Sequence, residues 1–142
     1  MMSTRKTVIV TGGSQGIGAG LVKAFVDRGY NVVANVLEIT KSNAFEASDK
    51  LALVDGSIAE AATAAKIAEV AKNKFKSIDA LVNNAGIYLA KHFTDYTVDD
   101  LRALALVNLE GFLLITQMAV KQMLAQNTGR SIVNLTAAQV NL

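Results

Sequence analysis

An α/β layer sandwich built on a parallel sheet is the fold that this 142-residue sequence predicts, and three observations carry the prediction. Short β-rich apolar runs alternate with longer helical patterns, the order expected of right-handed βαβ crossovers. The runs are apolar almost without interruption, as strands covered on both faces are. A glycine cluster stands where the first run gives way to the first helical pattern. Composition agrees with one folded domain over residues 1–142: the chain is 51% hydrophobic and 18% charged, with a mean hydropathy of +0.33.

The elements follow in order. TVIVTGG (Thr7–Gly13) holds the first strand, and the first helix follows Gly16 and stops at Gly29, a residue type suited to the left-handed C′ position. NVVANV (Asn31–Val36) is the second strand, joined by a short helical turn near Asn43–Ser48 to the third, LALV (Leu51–Val54). Ser57 with Glu60 reads as an S-x-x-E capping box opening a helix over Ile58–Lys74. DALVNNAG (Asp79–Gly86) holds the fourth strand. Thr97 with Asp100 opens a long helix that ends near Asn127, ahead of Gly129, and SIVNL (Ser131–Leu135) is the fifth strand.

Several function classes drop out. Without cysteine there is no disulfide and no thiolate nucleophile, and the single histidine, His92, cannot build a metal cluster alone. Lys and Arg total 14 against 12 Asp and Glu, and the basic residues form no stripe of the kind nucleic acid requires. Gly12 and Gly13 interrupt the first apolar run before it can serve as a signal sequence, and the longest apolar stretch, around Phe112–Ile115, is too short to span a bilayer. The expectation is a cytoplasmic protein with neither nucleic acid nor membrane as partner. The chain also lacks proline, which fits either short loops or an edited or incomplete chain.

The glycine cluster VTGGSQGIG gives each glycine a separate task. Gly12 turns the chain sharply off the strand, Gly16 lets a pyrophosphate approach the backbone, and Gly18 lets the helix pack closely on the sheet. The amides around Gly16 to Gly18, together with the helix dipole, favour an anion.

TGGSQGIG (Thr11–Gly18), NNAG (Asn83–Gly86) and VNLEG (Val107–Gly111) occur in the order and spacing of the short-chain dehydrogenase/reductase family, and GRSIVNLTA (Gly129–Ala137) is similar to that family's fifth strand. The chain resembles the family over essentially its whole length. The resemblance implies a Rossmann-like doubly wound parallel sheet of about five strands in the order 3-2-1-4-5, with helices on both faces. NAD or NADP would cross the switch point between strands one and four. It further implies that Ser14, Gln15 and Ile17 join Gly12, Gly16 and Gly18 around the phosphates. Asp55 would accept from the adenine amino group, Asn84, Ala85 and Gly86 would line the ribose, and Val107 would touch the adenine edge. Asp55 has a loop cap as its alternative reading and Val107 ordinary helix packing, while Asn83 ties strand four to its neighbours. The choice between NAD and NADP is not legible: Val36 and Leu37 occupy the informative positions, Glu38 comes late, and Gln15 replaces a basic loop residue.

In this family a tyrosine moves the proton, a lysine lowers its pKa, a serine holds the substrate oxygen, and a helix asparagine supports the lysine. The resemblance assigns that last role to Asn108. Thr136 and Ala137 stand where IVNxSS would place its serines, with Ala137 at the catalytic one. The Tyr-x-x-x-Lys helix would begin beyond Leu142, and neither Tyr30, Tyr88 nor Tyr96 has the spacing to replace it. The expectation is therefore the NAD(P)-binding portion of an oxidoreductase, catalytically incomplete as it stands. The alternative is a non-catalytic nucleotide-binding or interaction module. Apolar residues around the long helix (98–127) and the flat strand at 131–135 predict a homo-oligomer.

Overall fold

The computed structural model describes residues 5–39 and 44–136. The strands are β1 (Thr7–Val10), β2 (Asn31–Val36), β3 (Leu51–Asp55), β4 (Ala80–Asn83) and β5 (Ser131–Asn134). They form one parallel sheet in the order β3-β2-β1-β4-β5, as the resemblance implied. The chain winds outward from β1 through β2 to β3, then returns to β4 on the other side. That reversal opens a crevice at the carboxyl ends of β1 and β4.

Alternation along the strands divides the core in two. Val8, Val10, Val32, Ala34 and Val82 face α1 (Gly16–Asp27) and meet its Val22. Ile9, Val33, Val54 and Leu81 face the other way, against Ile67 of α2 (Ala61–Val70) and Ile115, Ala119 and Met123 of a later helix. The edge differs. β5, the strand expected to form an uncovered apolar edge, is exposed throughout, while β1 is wholly buried.

The helix ends show where side chains govern and where packing does. Gly29, at φ +85°, closes α1 in the left-handed conformation its position predicts. The capping box at Ser57 and Glu60 does not form. Glu60 is itself the N-cap of α2, without a side-chain bond, while Ser57 Oγ accepts from Ala59 N at 3.3 Å. Residues 57–60 instead make a turn, Glu60 N donating to Ser57 O at 3.0 Å, which drives Ile58 into the core. Burying that side chain outweighs one exposed cap. The helical turn expected near 43–48 is likewise absent over residues 44–48; Asn43 lies outside the described residues.

The long helix is not uniform. It comprises α3 (Val98–Ala105), a π-helical segment at Leu106–Gly111 and α4 (Phe112–Gln126), and a second π turn, Ala71–Phe75, extends α2. Asn127 at φ +52° ends α4, as expected. By length and composition alone Val98–Gln126 could cross a membrane, since it contains an 18-residue window with a mean hydropathy of 1.7, which the short run Phe112–Ile115 does not convey. In this fold the helix packs on the sheet through Ile115, Ala119 and Met123.

The Thr97 capping box forms in full: Asp100 N donates to Thr97 Oγ1 at 3.1 Å, and Thr97 N to Asp100 Oδ2 at 3.0 Å. Lys91 Nζ reaches the same carboxylate oxygen at 2.6 Å. That hydrogen bond, then the one from the Thr97 amide, holds the Asp100 carboxyl below the ordinary carboxylate range. Because the folded pKa is depressed, the stabilisation is full above the unfolded carboxylate pKa of about 4 and is lost as pH falls through the folded value. Asp100→Asn should therefore lower the thermal midpoint at neutral pH. In thermal melts across pH, its gap from wild type should close below pH ~4; a gap independent of pH would contradict this account.

Candidate functional site

At the carboxyl ends of the strands lies a cleft of about 490 Å³ whose walls come from separate loops. Gly12, Ser14, Gln15, Gly16 and Ile17 supply one wall, Asn84 to Ile87 the facing one, and Gly56, Ser57 and Ile58 a third, with Asn35, Leu37 and Val107 completing the lining.

The glycine turn is built for close approach. Gly12 sits at φ +63°, and a Cβ there would lie 2.9 Å from Ala85 Cα. Gly18 is tighter: its Cβ would fall 2.0 Å from Gly12 O, so it serves packing rather than ligand contact. At Gly16 a Cβ would meet nothing within 4 Å. The N-cap of α1, Gln15, makes no side-chain cap bond and the first turn has no acid. Its leading amides, which no helical carbonyl can satisfy, are thus not capped by that side chain.

One threonine joins the facing walls. Thr11 is buried, and its Oγ1 accepts from Asn84 N and Ala85 N, both at 3.0 Å. Asn84 replies by donating Nδ2 to Thr11 O at 3.1 Å and to Gly12 O at 3.0 Å. Asn84 therefore borders the cleft while its amide nitrogen is committed to the glycine turn. Asn83 points elsewhere, donating to Thr116 Oγ1 and Asn134 Oδ1 at 3.0 Å each, in keeping with a structural tie.

Asp55 and Asn108 stand apart from this group. Asp55 is exposed at the end of β3, next to Gly56, and its Oδ1 accepts from Ile39 N at 3.3 Å, which makes it a loop cap. Asn108 lines an adjoining hollow of about 270 Å³ with Asn83, Asn134 and Thr136. Its side chain clasps the loop after β4: Oδ1 accepts from Ile87 N at 2.9 Å and Nδ2 donates to Ile87 O at 3.0 Å. Asn108 lies in the π segment, and such segments recur at functional sites. Val107, one residue earlier, both lines the cleft and packs on the core, so its two readings coexist. Ala137 lies outside the described residues.

Residues 6–140 match the family described as short chain dehydrogenase. The chain belongs to that family. It is 31% identical over 139 residues to the NADP-dependent (R)-specific alcohol dehydrogenase of Lentilactobacillus kefiri, covering 94% of this chain and 55% of the relative. It is also 31% identical over 140 residues to the 3-oxoacyl-[acyl-carrier-protein] reductase of Synechocystis sp., covering 94% and 56%. A solved short chain dehydrogenase from Bacillus anthracis superposes with a TM-score of 0.82 at 26% identity, covering 93% of this chain and 57% of that one. The chain spans about half the length of the curated relatives it matches.

Short chain dehydrogenases generally use NAD(P) and commonly oligomerise. The cleft fits such a dinucleotide in three respects. Its volume lies in the usual range for small-molecule sites, space opens over Gly16, and the uncapped start of α1 faces an anion with partial positive charge. Among the described residues lining it, none is charged, so backbone amides, the helix dipole and neutral polar side chains would meet the phosphates. Reading the sequence assigned no site role to Thr11, Asn35, Gly56 or Ile87, and gave Leu37 only as a position informative for cofactor choice and Ser57 only as a helix cap. For Asn35 there was a signal, a lone amide inside the apolar strand NVVANV.

Proposed function

We propose that this chain forms the dinucleotide-binding part of a hydride-transferring oxidoreductase. The convergence of the glycine turn, the start of α1 and the Asn84–Ile87 loop on one cleft carries the reading. Gly12, Ser14, Gln15, Gly16 and Ile17 would surround the pyrophosphate, with Gly18 keeping α1 close enough to do so. Ala85 and Gly86 leave room for a ribose, and Asn84 fixes the turn that faces it. Val107 offers an apolar edge to the base, and the second carboxylate oxygen of Asp55 would accept from an exocyclic amino group. The bound nicotinamide supplies the hydride chemistry. Asn108 holds the loop after β4 in register beside it. Leu37 and Gln15 provide neither an acid for a ribose diol nor a cation for a 2′-phosphate, so both NAD and NADP are candidates. Calorimetric titration of the folded chain with each tests the reading: saturable binding of either supports it, and no heat with both rejects it.

A second reading, self-association, is favoured by the apolar exposure of the long helix, where Leu109 is 66%, Leu113 51% and Leu124 61% exposed. The β5 edge (131–135) is the other candidate contact. Sedimentation should show a concentration-dependent dimer or larger species; a monomer at all concentrations would end this reading. On either reading we assign the chain to the cytoplasm.

A further inference from the structure

We propose that Asn35 is a positioning residue that sets two walls of the cleft at once. It is the penultimate residue of β2, the strand between β1 and β3, and is only 3% exposed. Its Nδ2 donates to Val54 O at 3.3 Å and to Gly56 O at 2.9 Å, while its Oδ1 accepts from Gly12 N at 3.5 Å. The same strand adds backbone clamps: Gly13 N donates to Asn35 O at 2.8 Å and Gly56 N to Val36 O at 3.2 Å.

The two segments it joins are 44 residues apart in sequence at Gly12 and Gly56 and do not pair as strands. Both bend at a left-handed glycine, Gly12 at φ +63° and Gly56 at φ +129°. Turns of that kind have few local constraints, because glycine restricts its own backbone least. The Asn35 side-chain amide bridges them, alongside the two backbone clamps. An apolar side chain of similar shape would leave the Gly12 N–H and the Val54 and Gly56 carbonyls without this partner. An amide is needed because one side chain must donate to carbonyls on the β3 side and accept from an amide on the β1 side. An aspartate in its place would set a carboxylate against the Val54 and Gly56 carbonyls.

The binding consequence rests on the dinucleotide reading above; the structural coupling does not. The test compares wild type, Asn35→Asp and Asn35→Ser by residue-resolved amide hydrogen exchange without nucleotide, and by calorimetry with NAD and NADP. Positioning predicts that amides at Gly12–Gly13 and at Gly56–Ser57 exchange faster together, by about tenfold or more, while Leu81 in β4 keeps its protection. It also predicts Kd values about tenfold weaker or more in variants whose circular dichroism is native. Faster exchange across the whole sheet, a change in only one of the two loops, or unchanged exchange overturns the proposal. So does loss of folding in both variants, which would make Asn35 a folding residue only. If wild type binds neither dinucleotide, the functional reading fails and the exchange comparison still decides the role of Asn35.

Discussion

Gly18→Ala should abolish dinucleotide binding and lower stability by about 3 kcal/mol, the upper end of ordinary overpacking costs. The added Cβ would lie 2.0 Å from Gly12 O, 2.5 Å from Asn84 Nδ2 and 2.9 Å from Gly12 C. The first and last of these are backbone, and the second is an amide already bonded to Thr11 O and Gly12 O, so none can swing aside. Relief requires α1 to move off the sheet or the glycine turn to open, and either motion displaces the wall that would meet the phosphates. Gly20→Ala supplies the contrast. Gly20 lies two residues on in the same helix, and a Cβ there meets nothing within 4 Å. That substitution should stabilise by roughly 0.5–1 kcal/mol through helix propensity and leave binding intact. Urea unfolding and calorimetry on the two variants separate the cases. Equal effects at both positions would show that helix propensity, not the contact with Gly12, governs this loop.

Thr11→Val should cost about 3 kcal/mol, because it strips the acceptor from two backbone amides without changing the shape of the side chain. Thr11 Oγ1 accepts from both Asn84 N and Ala85 N, and Thr11 is 1% exposed, so water cannot easily replace it. Both amides start the loop that forms the wall opposite the glycine turn. Thr11→Ser keeps the hydroxyl and should recover most of the stability, losing only about 1 kcal/mol for the buried methyl. If Val and Ser destabilise equally in urea unfolding, the methyl rather than the hydroxyl matters, and the description of the loop is wrong.

Much of this was legible in the residues because it is local or strongly patterned. Buried parallel strands need continuous apolar runs, and TVIV, NVVANV and ALVN carry them. The Thr97–Asp100 box formed because its helix start is exposed, leaving nothing to compete with the cap. At Ser57 the same pattern failed, since Ile58 between the two residues had a core to fill. The π segment at Leu106–Gly111 has no local code. It goes with a tight tertiary fit: a Cβ on Gly111 would lie 2.8 Å from Ile58 Cγ2, and Asn108 reaches Ile87 from within the segment. The candidate site divides the same way. The glycine turn and Asn84–Gly86 were readable as spacings, and they meet in one cleft. Gly56 was not, and Asn35 showed only as an amide in an apolar strand, because what makes them walls is contact between segments far apart in sequence. Asp55 reads as a base-contacting carboxylate or a loop cap, and its Oδ1, bonded by Ile39 N, serves the cap.

The most direct test of the central claim is amide-shift mapping of the isotopically labelled chain titrated with NAD and, separately, with NADP. The account predicts saturable shifts concentrated at Gly12–Gly18, Gly56–Ile58, Ala85–Ile87 and Val107, with little change along β5. Shifts confined instead to the apolar hollow beside Phe93, Tyr96 and Leu101, or no shifts with either dinucleotide from a folded chain, would contradict it.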